Sequence, residues 1–266
     1  MPPSLAALSR SAAFDDLKAA VAVAHREASA AGFVSPGERL LATGIPEVDS
    51  ALGGGFARGT LATVEGPAGS GRSALLARLL AESTAQGLGA LIERPQGTEG
   101  RLYPPALAAA GVRLERLLIV HTQDERGVAR AADIVLRSAT CGVVAIPAVR
   151  LSAPVWTRLA SLAHRADALL VALGTATAEL RYFASLRLEL QLTGVQWSNG
   201  SGLFGTLVGV ETHATVLKHK RAAPGKQATF GCTTFERRGA PLVASTPYTL
   251  ERPPQRFLGR DVHATS

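Results

Sequence analysis

Apolar residues are spaced along this chain in two rhythms. Short apolar runs at Thr60–Glu65, Ala90–Glu93, Leu117–His121, Gly142–Ile146 and Ala168–Leu173 predict buried strands. Between them, apolar positions three and four apart predict helices at Arg72–Gln86, Pro104–Ala110, Glu125–Ser138 and Pro154–His164. Apolar strands alternating with helices imply a mostly parallel sheet covered on both faces. Beyond Leu173 the period drops to two, through Ala184–Leu190, Val208–Leu217 and Gln227–Phe235. The turn signal Asn199-Gly200-Ser201-Gly202 falls between the first two of these runs, so an antiparallel extension follows the parallel core.

Two elements precede the core. Phe14, Leu17, Val21 and Ala24 recur at helical spacing through Phe14–Ala31, with Asp15 and Asp16 in the first turn and Gly32 at the end. Leu40-Leu41-Ala42 begins an extended stretch, and Pro46 suits the start of a short helix that Gly53-Gly54-Gly55 closes. The division expected is a helical arm over residues 1–35, an α/β core over 36–240 and a flexible tail over 241–266. The tail carries Pro247, Pro253 and Pro254 with Arg252, Arg256 and Arg260.

Composition narrows the function classes. With 47% hydrophobic and 18% charged residues the chain can bury a sizeable core, which excludes global disorder. A net charge of +7 suits contact with nucleic acid or an acidic protein surface. The two cysteines, Cys141 and Cys232, lie in apolar or strand-like stretches and read as buried thiols. They and the six histidines show no ligand spacing, so no metal site is expected. No apolar run approaches the ~18 residues of a membrane helix, and no leader pattern opens the chain. A cytoplasmic protein with no membrane partner is the expectation.

One stretch carries candidate chemistry. Gly66-Pro67-Ala68-Gly69-Ser70-Gly71-Arg72-Ser73 lies between a predicted strand and a predicted helix, with the spacing of a phosphate-binding loop. Backbone N–H groups and the helix N-terminus cradle phosphates in such a loop, and a lysine before the last hydroxyl reaches the outer phosphates. Here that position is Arg72, which keeps the charge but is bulkier and planar. Two readings follow: residual nucleotide binding by Gly66, Gly69, Gly71, Arg72 and Ser73, or a structural strand–turn–helix, which is favoured. Hydrolysis also calls for a magnesium-holding acid at a strand end. The Val143–Ile146 strand runs instead into Pro147, and Glu93 and Glu99 are the nearest acids that could substitute.

The stretch Thr43-Gly44-Ile45-Pro46-Glu47-Val48-Asp49-Ser50-Ala51-Leu52-Gly53, leading through Gly66-Pro67 to Gly71, resembles the start of the RecA recombinase core. Leu180 to Leu188 is similar to the RecA strand that follows its second DNA loop, and Val208–Thr212 with Val216–Gln227 is similar to the next RecA hairpin. The resemblance covers roughly Phe14 to Phe235. It implies a RecA-like phosphate-loop core, a mostly parallel sheet with an antiparallel C-terminal extension, preceded by an N-terminal helix.

Departures from that pattern bear on activity. The loop lysine is Arg72, the RecA catalytic glutamate falls near Pro95 or Gln96, and only Pro147–Ala153 and Gly174–Glu179 remain where RecA has its two DNA loops. No counterpart of RecA's C-terminal DNA-binding domain is expected. Lys218 and Lys220, by contrast, match the lysines that in RecA filaments reach the ATP of the neighbouring protomer. Phe14, Leu17 and Val21 lie on the helix that resembles the RecA arm, which packs on an adjacent protomer.

Shortened RecA-like chains of this kind resemble ImuA-type proteins of bacterial mutagenesis cassettes. That resemblance implies a non-catalytic accessory role in damage-induced translesion synthesis, with no cofactor of its own and ATP a doubtful ligand. The implied partner is an ImuB-type Y-family-like protein, with RecA and an error-prone DnaE-type polymerase as further candidates. DNA contact would be indirect or weak, and the protein nucleoid-associated when engaged. Two alternatives stand beside it. One is a divergent DNA-dependent ATPase, with Arg72 acting for lysine and Glu93 or Glu99 as base. The other is a plain basic DNA-binding protein using Arg252, Arg256, Arg260 and the Lys218–Lys226 cluster.

Overall fold

The computed structural model describes residues 40–94, 102–197, 207–220 and 224–233, together with 16, 19 and 23. Asp16, Ala19 and Val23 are helical. Phe14, Leu17 and Val21 lie outside the described residues, as do Pro95, Gln96, Glu99 and the 241–266 tail.

Leu40–Leu41 (β1) pairs antiparallel with Phe56–Ala57 (β2), and the short helix Pro46–Leu52 (α1) lies between them in sequence. Asp49 fixes this turn: its carboxylate accepts from Thr43 N at 2.8 Å, Thr43 Oγ1 at 2.8 Å and Gly44 N at 3.1 Å. Gly53 then ends the helix in the left-handed conformation, with φ of 76°.

The core sheet has eight strands: Leu61–Glu65 (β3), Leu88–Glu93 (β4), Leu117–His121 (β5), Cys141–Pro147 (β6), Leu169–Leu173 (β7), Leu186–Trp197 (β8), Leu207–His219 (β9) and Gln227–Thr233 (β10). Their spatial order is β10-β9-β8-β3-β7-β6-β4-β5. Strands β3 to β8 run parallel, and β9 and β10 add antiparallel at one edge. The α/β class and the antiparallel extension are as the two rhythms predict.

Helices Arg72–Gln86 (α2) and Pro104–Ala109 (α3) join α1 over one face. Glu125–Ser138 (α4), Ala153–Arg165 (α5) and Ala178–Phe183 (α6) pack on the other. Val64, Leu76, Leu79 and Phe230 belong to the first apolar layer, and Ile92, Val144, Trp156 and Leu170 to the second. Helix α4 starts where Asp124 accepts from Gly127 N at 2.6 Å, and its last turn carries Arg137, so each end complements the helix dipole.

One local departure from the sequence reading concerns Leu180–Phe183, read as the start of a strand but helical here. Thr177 caps this turn by accepting from Leu180 N at 3.3 Å, and Glu179 lies in its first turn. The strand begins only at Leu186.

Cys141 is buried at the start of β6, and burial pushes its thiol from the ordinary 9.0 up to about 11, with the Thr140 hydroxyl pulling slightly the other way. The sign follows directly. The unfolded thiol ionises first, so this group's contribution to stability is intact below about pH 9 and is lost as pH rises toward 11. In a Cys232→Ser background, Cys141 is expected to resist a thiol-reactive dye at pH 8 until denaturant unfolds the chain. Fast labelling of the native protein would contradict this.

Candidate functional site

The phosphate loop sits at the C-terminal end of β3, the central parallel strand, and opens α2. Gly66, Gly69 and Gly71 all have positive φ, at 137°, 80° and 91°. The reasons differ. A Cβ at Gly66 would lie 2.2 Å from Leu190 O on β8 and 2.7 Å from Ser70 Oγ. One at Gly71 would lie 2.7 Å from Thr212 Oγ1 on β9. A Cβ at Gly69 would meet nothing within 4 Å. Two of the three glycines are therefore required by the protein's own packing, because the loop lies against the β8–β9 hairpin. Only Gly69 faces open space, with Pro67 and Ala68 exposed beside it.

Buried hydroxyls flank the loop. Ser70 and Thr212 are 1% and 0% exposed, and neither hydroxyl oxygen has a hydrogen-bond partner. The backbone path and the orphan hydroxyls are compatible with a phosphate group. Arg72 begins the helix where a lysine would meet such a group, and Ser73 after it is exposed.

The acids near the loop are engaged elsewhere. Glu65, the last residue of β3, is 6% exposed. Arg187 on β8 grips it bidentately, Nε to Oε1 at 2.7 Å and Nη2 to Oε2 at 3.1 Å. Thr63 Oγ1 donates to Oε1 at 2.9 Å, and Arg181 Nε stands 3.9 Å from Oε2. The parallel register places Glu65 beside Glu189 and Thr63 beside Arg187, so this clamp joins the strand entering the loop to the start of the β8–β9 hairpin.

Glu93, at the end of β4, is also 6% exposed. Its Oε1 accepts from Leu102 N at 2.6 Å, and its Oε2 lies 3.3 Å from His121 Nδ1. Strand β4 is separated from β3 by β6 and β7, roughly 14 Å at ordinary strand spacing. Strand β6 ends in buried Pro147, and Ala148 N donates to Leu173 O at 2.6 Å, which ties the ends of β6 and β7 together. Past those ends, where the resemblance puts two DNA loops, Arg150, Leu151, Thr177, Ala178 and Glu179 line an open depression of about 480 Å³.

The structure brings Lys218 and Lys220 to the start of β8. Lys218 Nζ donates to Arg181 O at 3.0 Å and Tyr182 O at 2.8 Å, so the ammonium caps the C-terminus of α6. Its pKa is lowered by burial first, then by Lys220 and Arg187. Lys220 N donates to Ser185 O at 2.9 Å, and its side chain is exposed. Sequence reasoning missed two members of this face. Tyr182 is 76% exposed, with its ring edge-on to Phe183 at 5.1 Å, and Arg181 is exposed beside it. No signal in the sequence marks them, because the turn is too short to show a helical period and only Leu180 of it is buried. The arm positions Phe14, Leu17 and Val21 lie outside the described residues and are not placed against this face.

Among the described residues no cluster of three metal ligands occurs, and no helix is long and apolar enough to cross a membrane.

No family profile matches the chain. It is similar to the RecA protein of Thioalkalivibrio sulfidiphilus, 25% identical over 230 residues, covering 71% of this chain and 64% of that one. The RecA protein of Ectopseudomonas oleovorans is 26% identical over 231 residues, with 72% and 64% covered. A stretch of 113 residues is 33% identical to the RecA protein of a Picosynechococcus species, covering 42% of this chain and 31% of the relative. The chain thus spans less than two thirds of the length of each of these relatives. Among solved structures, the RadB recombinase has a similar fold, with a TM-score of 0.57 and 18% identity over 72% of this chain and 95% of that one. Strand order and loop position are those of a RecA-like core, and in sequence the chain is similar to RecA proteins.

Proposed function

We propose that this chain is a non-catalytic RecA-like accessory protein of DNA-damage-induced translesion mutagenesis. It binds an ImuB-type protein and adds to RecA filaments, and it turns over no ATP. One observation carries the reading. The two buried strand-end acids, Glu65 and Glu93, are both committed to the protein's own bonds, to Arg187 and Thr63 in one case and to Leu102 N and His121 in the other. Both carboxylates are held by the protein's own donors, and Arg72 stands where the loop lysine belongs. The phosphate-loop fold then serves as a scaffold for the face around Tyr182, Arg181, Lys218 and Lys220. An exposed aromatic beside cations suits an acidic or nucleotide-bearing neighbour surface.

Two measurements test the proposal. Phosphate release by the purified chain should stay at background with and without single-stranded DNA. Binding to RecA filaments held with an ATP analogue should weaken at least tenfold in Tyr182→Ala/Lys220→Ala, whose side chains are exposed and whose loss leaves the fold intact. DNA-stimulated hydrolysis that vanished in both Arg72→Ala and Glu93→Gln would instead establish the divergent ATPase. Unchanged filament binding would remove the filament part of the reading, and failure to capture ImuB in a pull-down would remove the rest.

A further inference from the structure

The hairpin β8–β9 runs past the helices that cover its base and ends in an apolar face that, among the described residues, stays exposed. From Leu190 to Val210 the sequence holds no charged residue. Leu186, Leu188 and Leu190 are buried on the face covered by α1 and α2, and Leu192, opposite Thr212, continues that row. A register shift at Thr193 brings Val195, opposite Val210, and Trp197, opposite Leu207, back to the same side. Here the cover stops: Leu192, Val195 and Trp197 are 44%, 41% and 49% exposed. Large apolar side chains that extend a buried row into the open mark a surface that something lies across.

We propose that this face is the docking surface of the chain's own segment 234–266. Strand β10 runs toward the same end of the hairpin and finishes at Thr233, opposite Gly209. That end is two strand spacings from Trp197, roughly 10 Å, which three or four extended residues span. The 33 residues that follow (266 − 233) carry Leu242, Val243, Tyr248, Leu250, Phe257 and Leu258 among their prolines and arginines. A segment tethered so close has an effective concentration in the millimolar range, so a few apolar contacts suffice to hold it. Charge argues against nucleic acid as the occupant: no cation lies between Leu190 and Val210, and the flanking residues are Glu189 and Glu211.

The chain has two tryptophans, and Trp156 is fully buried in the core, so acrylamide quenching of the native protein reports on Trp197. In the full chain Trp197 should be shielded. Quenching should rise at least threefold, with a red shift of the emission, in a chain stopped after Thr233. The full-length Leu250→Ser/Phe257→Ser/Leu258→Ser variant should behave the same way, and it guards against a truncation that fails to fold. Both effects should be independent of protein concentration. Equal quenching in all three proteins would overturn the proposal. So would shielding of the full chain that disappears on dilution, which would assign the face to a second copy, or shielding gained only when a partner protein is added.

Discussion

Gly66→Ala is expected to cost on the order of 4 kcal/mol, at the upper end of what single substitutions do. The methyl group would sit 2.2 Å from Leu190 O, a backbone atom that cannot swing aside, and the residue would have to hold φ near 137°. Gly69→Ala should cost only about 1 kcal/mol, since its Cβ enters open space and only the left-handed backbone opposes it. Urea unfolding of the two variants, followed by circular dichroism, gives the comparison. The contrast separates two reasons for the same sequence motif. If Gly66 were kept for a phosphate, its replacement would be mild for stability; a value within about 1 kcal/mol of wild type would show that the loop does not bear on β8 as described.

The second large effect belongs to the clamp behind the loop. Glu65→Ala leaves Arg187, largely buried and opposite Lys218, without its carboxylate, and should cost about 3 kcal/mol. Arg187→Ala strands a carboxylate that is 6% exposed and should cost a similar amount. Replacing both by alanine leaves no unpaired charge and should cost about 4 kcal/mol, less than the two single effects together. A double-mutant cycle should therefore give a coupling of about 2 kcal/mol or more, and additive single effects would refute the clamp. Because Arg187 also bears on Lys218, its removal should raise the lysine's pKa toward 10.5, which NMR of the ammonium group can follow.

Much of the fold is legible in the sequence. Leu117–His121, Arg72–Gln86 and Glu125–Ser138 begin and end where their apolar spacing and caps predict. The two helices each bury one stripe, so burial writes itself into the sequence; the strand Leu117–His121, expected to be buried, lies at the sheet edge and is only partly covered. The α6 turn is not legible, because six residues are too short to show helical period and the signal rests on Thr177 alone. The Glu65–Arg187 pair is invisible for another reason: its partners are 122 residues apart, and nothing local marks a carboxylate that will face an arginine across a parallel ladder. The same applies to Thr212 over Gly71. In both cases the loop's surroundings come from the β8–β9 hairpin, which sequence reasoning places in order but not against the loop. Spacing and resemblance mark Lys218 as a candidate contact, yet they give no hint that within the chain it meets the end of α6.

The position of β3 in the sheet has a consequence for how the chain is made. It pairs with β7 at Leu170–Leu173 and with β8 at Leu186–Glu189, so both neighbours of the loop strand are encoded more than a hundred residues after it. At roughly 5–20 residues per second, a ribosome holds β3 and α2 without lateral partners for on the order of ten seconds. During that interval the apolar strand Leu61–Glu65 is a pairing template with nothing to pair, and closing the loop to β7 is the slow, entropically costly step. Nascent chains stalled before Leu169 should therefore depend on a holding chaperone, and those that have cleared Glu189 should not.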